Sequence, residues 1–151
     1  MSSVFIGIGS NLGNREENCR KALRLISEKA GIVTRQSSIY ETRPWGVENQ
    51  PPFFNMAAEA DTLADPRTLL SILKVIEKEL GRTESPRWGP RTLDLDILFY
   101  DDLVIDTPEL RIPHPLMHMR KFVLQPLSEI APDKVHPILK KTVKELLSEL
   151  K

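Results

Sequence analysis

From Thr92 to Tyr100 the chain alternates, with Leu93, Leu95, Ile97 and Phe99 on one side and Asp94, Asp96, Leu98 and Tyr100 on the other. A period of two marks a β-strand, and a strand with one apolar side must lie on a core. The same alternation puts both carboxylates on one face, their Cα atoms about 7 Å apart, twice the strand rise. Hard oxygen donors at that spacing can bracket one divalent cation or a pair of them, with Mg²⁺ or Mn²⁺ favoured. Upstream, Arg87 and Arg91 flank a Trp-Gly-Pro turn. Guanidinium forks beside metal-binding carboxylates suit a polyphosphate. Taken alone, two aspartates on a strand fit a plain solvent face equally well.

Other segments show which core this strand joins. Val4 to Ile8 is a short apolar run leaving through Gly7, Gly9, Ser10, Asn11 and Gly13, a buried strand followed by a turn. These glycines fit neither a P-loop nor a GxGxxG fingerprint, since Leu12 stands where the third glycine is needed, and they read as structural. A helix follows from Arg15, with Cys19, Ala22, Leu23, Ile26 and Ala30 at helical spacing and a stop at Gly31. Ile32 to Tyr40 reads as a second strand, leading into Glu41 to Gly46, a candidate binding loop broken by Pro44. Phe54 to Asp61 alternates as a third strand, with Asn55 on the opposite side from Phe54 and Met56. Asp65-Pro66 starts a second helix carrying Leu69, Leu70, Leu73, Ile76 and Leu80 and closing at Gly81. After the Asp-bearing strand, Asp101-Asp102 predicts a hairpin that adds Leu103 to Ile105 to the sheet. Helical regions are expected from Pro113 to about Leu127 and from Thr142 to Leu150. The order is βαββαβ with additions: an α+β, ferredoxin-like core, an antiparallel sheet with flanking helices.

At 151 residues the chain is expected to form a single domain, residues 1–151, with one core. Basic and acidic residues balance at 21 each, so no bulk field draws the protein to nucleic acid or to an anionic membrane. One cysteine, Cys19, on the apolar side of a helix, suits a reducing compartment. No apolar stretch is long enough to cross a bilayer and no signal segment opens the chain, so a cytoplasmic protein is expected; separately, it is expected to act as a monomer.

The ten residues Arg87 to Asp96, RWGPRTLDLD, closely resemble the signature of the 6-hydroxymethyl-7,8-dihydropterin pyrophosphokinases. The similarity extends through Gly7-Ile-Gly-Ser-Asn-Leu, Gln50-Pro-Pro-Phe-Phe-Asn and Pro113-His. Such enzymes move a pyrophosphoryl group from ATP to a pterin alcohol in folate biosynthesis, and the resemblance implies the same fold and reaction. It implies that Asp94 and Asp96 hold two Mg²⁺ ions, that Arg82 and Arg91 are the catalytic arginines, and that ATP is the co-substrate. It places Leu70, Glu77, Arg87, Trp88, Ile97, Leu110, His114 and Arg120 around the nucleotide, His114 as a hydrogen-bond donor. Phe53 and Phe122 would sandwich the pterin, Asn55 would bond its edge, and backbone groups at Thr42, Pro44 and Trp45 would complete the pocket. The loop after Arg82 is one residue shorter than the commonest family pattern, Pro115 follows His114 where an aromatic can occur, and Phe53 stands where tyrosine is frequent.

Rival chemistries lack parts. His114 and His118 are four apart, but Pro115 occupies the place of the HExxH glutamate, so zinc is not supported. An RNA-binding module on this fold would need an aromatic RNP1-like strand and a basic face. A metal-dependent phosphohydrolase could use the same Asp pair, and would release phosphate from ATP without any pterin.

Overall fold

The structure, a computed structural model, describes residues 1–10, 13–42, 52–80 and 93–150. Its elements in chain order are β1 (Ser2–Ser10), α1 (Arg15–Lys29), β2 (Ile32–Gln36), β3 (Tyr40–Thr42), β4 (Phe53–Thr62), α2 (Pro66–Glu79), β5 (Asp94–Tyr100), β6 (Ile105–Asp106), β7 (Arg111–Ile112), α3 (Lys121–Ile130) and α4 (Val143–Glu149). In the main sheet β1 lies between β4 and β5, and β2 and β3 follow one another along the outer side of β4. The pairings are antiparallel. This is the ferredoxin-like order, with its second strand in two pieces.

That break departs from the continuous strand expected from Ile32 to Tyr40. Ser37 carries the β4 ladder across it: its N–H donates to the Ala57 carbonyl at 2.9 Å and its Oγ accepts the Ala57 N–H at 2.9 Å. The Glu129 carboxylate of α3 then accepts the Ser38 N–H and, at 2.7 Å, the Tyr40 hydroxyl. The chain therefore leaves strand geometry without leaving buried amides unmet.

Both main helices start where expected, at Arg15 and Pro66, each behind a side-chain cap. Asn14 Oδ1 accepts the Glu17 N–H at 3.1 Å, and Asp65 Oδ1 accepts that of Thr68 at 2.8 Å, with Pro66 in the first turn. Cys19, Ala22 and Ile26 of α1 and Leu69, Leu73 and Ile76 of α2 are buried against Val4, Ile6, Ile8, Met56 and Leu95 of the sheet. Burial raises the Cys19 thiol to about 11, helped by Glu16, so it stays protonated and inert at neutral pH. On the other face, Phe5, Ala57, Leu98 and Phe99 pack beneath Leu124 and Leu127 of α3 and Val143 and Leu146 of α4. A reciprocal capping box between Thr142 and Glu145 opens α4.

Three expectations need correction. The alternation of β5 does not run straight to Tyr100: Phe5 pairs with Phe99 and Ile6 with Ile97, leaving Leu98 as the extra residue of a bulge. Leu98 and Phe99 thus share the α3 face, and Tyr100 swings to the α2 side, where its hydroxyl donates to the Ala64 carbonyl. Three consecutive apolar residues hide such a flip from a periodicity argument. Next, Asp101-Asp102 forms a turn, with Asp101 at φ 49° and the Leu103 N–H on the Tyr100 carbonyl, but Leu103 to Ile105 adds no strand to the main sheet. The turn is tied elsewhere: Asp101 exchanges bonds with Ser3, and Lys134 Nζ donates to the Asp101 carbonyl and Asp102 Oδ1. β6 pairs with β7 in a separate hairpin. Finally, α3 starts only at Lys121, after a short 3₁₀ turn at Met117–Met119 and an extended Arg120. Pro113 and Pro115 bias the residues before them away from helix.

The helix does stop before Gly31, but glycine is needed there for another reason than a left-handed cap. α1 ends on Ala30 in right-handed geometry, and a Cβ on Gly31 would lie 2.2 Å from the Asp61 carbonyl oxygen. Gly31→Ala should therefore destabilise the protein by about 2–3 kcal/mol, read as a lower urea midpoint at unchanged slope, because backbone must move to admit the methyl.

Candidate active site

On the face opposite α1 and α2, the far end of the sheet is left uncovered by the C-terminal helices, and a cleft opens there. Its floor is Gly7 and Gly9 of β1, one wall Phe53 and Asn55 of β4, and the other Asp94, Asp96 and Leu98 of β5. Arg120, Phe122 and Val123 close it from above. Register decides this arrangement. Gly9 pairs with Asn55 on one side and Asp94 on the other, while Gly7 pairs with Ala57 and Asp96. Neighbouring strands lie about 5 Å apart, so the Asn55 and Asp94 backbones face each other across about 10 Å of glycine-floored sheet. Gly7 and Gly9, read from sequence as structural, are thus site residues. The available signal was their own spacing: two apart in a strand, they share a face.

Charge collects at the β5 side. His114 is tied to that strand through its N–H, which donates to the Leu98 carbonyl at 3.1 Å. Its Nδ1 accepts the Leu116 N–H at 3.3 Å, so the neutral ring carries its proton on Nε2, which lies 4.0 Å from Asp96 Oδ1. Burial lowers the affinity of this ring for a second proton, the Arg120 guanidinium lowers it further, and Asp94 offsets part of the effect. His114 is therefore a neutral Nε2–H donor at pH 7. The Arg120 guanidinium also lies 5.5 Å from the centre of the Phe122 ring, between the charged and aromatic parts of the cleft.

The donor set fits Mg²⁺ as a partner of polyphosphate. Asp94 and Asp96 offer hard oxygens from one strand face, and the described residues contain no group of three or more His, Cys, Asp or Glu that would enclose a metal. Magnesium held by two carboxylates keeps its remaining positions for water and phosphate oxygens.

Among the candidates from sequence, the structure gathers Phe53, Asn55, Asp94, Asp96, Arg120 and Phe122 into one cleft, with His114 beside Asp96. Thr42 pairs with Phe53 at the adjoining strand end. Leu70, Glu77, Ile97 and Leu110 are not brought into that cleft. Ile97 and Leu110 are buried in the core on the α2 face, and Leu70 packs against it. Glu77, also buried, accepts the Leu95 N–H at 2.8 Å through Oε2. Pro44, Trp45, Arg82, Arg87, Trp88 and Arg91 lie outside the described residues, as does the helix stop at Gly81.

Residues 5–132 match the family model described as 7,8-dihydro-6-hydroxymethylpterin-pyrophosphokinase (HPPK). The chain belongs to this family. It is 44% identical over 149 residues to the 2-amino-4-hydroxy-6-hydroxymethyldihydropteridine pyrophosphokinase of Aquifex aeolicus, covering 99% of this chain and 92% of that one. It is 51% identical over 128 residues to the protein of the same name from Bacillus subtilis, covering 84% and 77%. Among solved structures, wild-type Plasmodium falciparum HPPK-DHPS superposes with a TM-score of 0.81 at 17% identity, covering 98% of this chain and 44% of that longer one. At that identity the structural likeness speaks for the fold alone.

Within the HPPK cleft, Gly9 offers a direct check on the floor. A Cβ there would stand 3.0 Å from Asn55 Oδ1 and 3.6 Å from the Phe53 ring, atoms at side-chain ends that can yield. Gly9→Ala should fold normally yet weaken pterin binding about ten-fold, while an ATP analogue binds within about two-fold of the parent, as read by calorimetry.

Proposed function

We propose that the protein transfers the terminal pyrophosphoryl group of ATP to the hydroxymethyl oxygen of 6-hydroxymethyl-7,8-dihydropterin. The products are AMP and the pterin diphosphate, and the reaction is a step of tetrahydrofolate biosynthesis. The observation that carries this is the pairing of Asn55 and Asp94 with the same glycine, Gly9, which puts amide recognition and a metal-binding carboxylate on opposite walls of one cleft. A phosphohydrolase would need the carboxylates but not the aromatic and amide wall.

In this assignment Phe53 and Phe122 stack on the two faces of the heterocycle, Asn55 presents donor and acceptor to its edge, and backbone at Thr42, Pro44 and Trp45 completes the pocket. The pterin hydroxyl is thereby held toward β5, where its oxygen forms a bond to the β-phosphorus as the bond from that phosphorus to the AMP oxygen breaks. The hydroxyl proton is lost to solvent. Asp94 and Asp96 would hold Mg²⁺, two ions in the full assembly, whose positive charge would offset the negative charge of the polyphosphate. His114 donates Nε2–H to a phosphate oxygen, and Arg120 supplies a fixed cation beside it. Arg82 and Arg91 follow charge into the transition state, and Arg87 and Trp88 hold the nucleotide. From the α2 face, Leu70, Ile97 and Leu110 give β5 its apolar backing on the nucleotide side, and Glu77 fixes Leu95 between the two aspartates.

No helix among the described residues is long and apolar enough to cross a membrane. We take residues 1–151 as a single pyrophosphokinase domain acting as a cytoplasmic monomer. The free, buried thiol of Cys19 supports a reducing compartment.

The deciding experiment mixes ATP, Mg²⁺ and the pterin alcohol and follows AMP. AMP should appear only when the pterin is present; phosphate release without it would establish the hydrolase instead. Asp94→Asn and Asp96→Asn should each lower turnover by about 10³-fold or more with the melting temperature unchanged, since the strand loses charge but no apolar contact. Phe122→Ala should raise the pterin dissociation constant about ten-fold or more and leave that of an ATP analogue unaltered. Equal losses for both ligands would make Phe122 a core residue.

A further inference from the structure

The first turn of α1 reaches the cleft from behind. Gly13, at φ 73°, turns the chain, and the Asn14 cap aims Arg15 back at the sheet. Arg15 Nη1 donates to the Pro52 carbonyl at 2.7 Å, and its guanidinium carbon lies 4.4 Å from the centre of the Phe54 ring. Two more residues of the helix grip the same place: Asn18 Nδ2 donates to Ser10 Oγ at 3.2 Å, and the Cys19 thiol to the Phe54 carbonyl at 3.9 Å. Ser10 and Phe54 are themselves a ladder pair, so α1 holds the ends of β1 and β4 together.

Pro52 has no N–H, which leaves its carbonyl as its sole backbone hydrogen-bonding group. Arg15 takes that group. The next residue is Phe53, and Asn55 follows two further on, both facing the cleft, whereas Phe54 faces Arg15 on the other side of the sheet. A solvated surface arginine would neither be part-buried nor be held by both a carbonyl and a ring.

We propose that Arg15 is a positioning residue for the pterin half of the cleft. By clamping the Pro52 carbonyl against the Phe54 ring, it sets where β4 begins, and so the plane of Phe53 and the aim of the Asn55 amide. It touches neither substrate. The inference rests on the assignment of Phe53, Asn55 and Phe122 to the pterin. It adds that the selectivity of this wall depends on a side chain across the sheet.

The test measures dissociation constants for the pterin alcohol and for a non-hydrolysable ATP analogue, with melting temperatures, in the full chain and its variants. Arg15→Ala should weaken pterin binding about ten-fold and leave the ATP analogue within about two-fold. Arg15→Lys should fall between, since an ammonium can still donate to Pro52 but lacks the planar guanidinium that can both donate and stack on a ring. Phe54→Leu keeps apolar volume in the core while removing the ring beneath the guanidinium, and it should show the same pterin-selective loss, which decides the matter if the alanine variant unfolds. Normal pterin affinity in the Arg15 variants, or an equal loss for both ligands, overturns the proposal. Phe122→Ala serves as the control: if it weakens pterin binding and the Arg15 variants do not, this inference alone fails. If Phe122→Ala also binds pterin normally, the pocket assignment fails with it.

Discussion

The site exists because β1 carries no side chain at Gly7 and Gly9. An antiparallel sheet normally fills each face with side chains standing at right angles to it, and a helix then covers them. Here the middle strand is bare at two successive positions of one face, between residues that differ in kind: Asn55 and Ala57 on the β4 side, Asp94 and Asp96 on the β5 side. Two steps further along the same face, Phe5 is buried under α3 and α4 with Leu98 and Phe99. A single strand thus changes from core to floor between Phe5 and Gly7, and the bulge at Leu98 falls at the same crossing. The extra residue adds apolar cover where the core ends, and Leu98 both lines the cleft and belongs to the core beneath the helices.

Such a floor demands precise strands, since a register slip of one residue would exchange the faces and bury the carboxylates. Contacts made from the other face hold the register. Ile6, Ile8, Leu95 and Ile97 lock β1 to β5 over α1 and α2, and the Glu77 carboxylate caps the Leu95 N–H between the two aspartates. A buried carboxylate is costly unless it is well bonded, and here the bond falls at the place where the outer strand must not shift. On the β4 side the Arg15 clamp and the Ser37 bridge act likewise. The cleft is open to solvent on one face, while what fixes it lies on the other.

Much of this was legible in the residues. Period two in Leu93 to Ile97 and in Phe54 to Ala60 gave the strands and put Asp94 with Asp96 and Asn55 opposite Met56. The cap at Asp65 and the apolar stripes from Cys19 to Ala30 and from Leu69 to Leu80 gave the helices, while the Asn14 cap of the first was not singled out. What escaped was set by tertiary geometry. A bulge inside Leu98-Phe99-Tyr100 leaves no polar residue out of place, so periodicity had nothing to register. Asp101-Asp102 does turn the chain, but turn chemistry does not say what the chain pairs with next, and Ser3 and Lys134 decided that. Gly31 stood at the right position for a helix stop, yet what requires glycine there is the Asp61 carbonyl, a contact across 30 residues of sequence that no local rule contains. Gly7 and Gly9 were visible as glycines but not as a floor until the flanking strands were known.

The division of the cleft also answers how a chain with no net charge can handle a polyanion. Lysine and arginine balance aspartate and glutamate over the sequence, so attraction for ATP has to be local. By itself the β5 wall is unsuited to phosphate, since Asp94 and Asp96 repel it. The neutral Nε2–H of His114 and the cation of Arg120 stand beside them, and a metal held by the carboxylates, as proposed, would reverse the sign of the wall. The β4 wall needs no such reversal. In the proposed assignment Phe53 and Asn55, with Phe122 of α3 above them, recognise a neutral, flat heterocycle through stacking and amide bonds, which metal would not alter. On that assignment the metal is needed to reverse the charge of the β5 wall, while the β4 wall is neutral without it. The bare glycines between them keep the two chemistries within bonding reach while preventing either wall from covering the other.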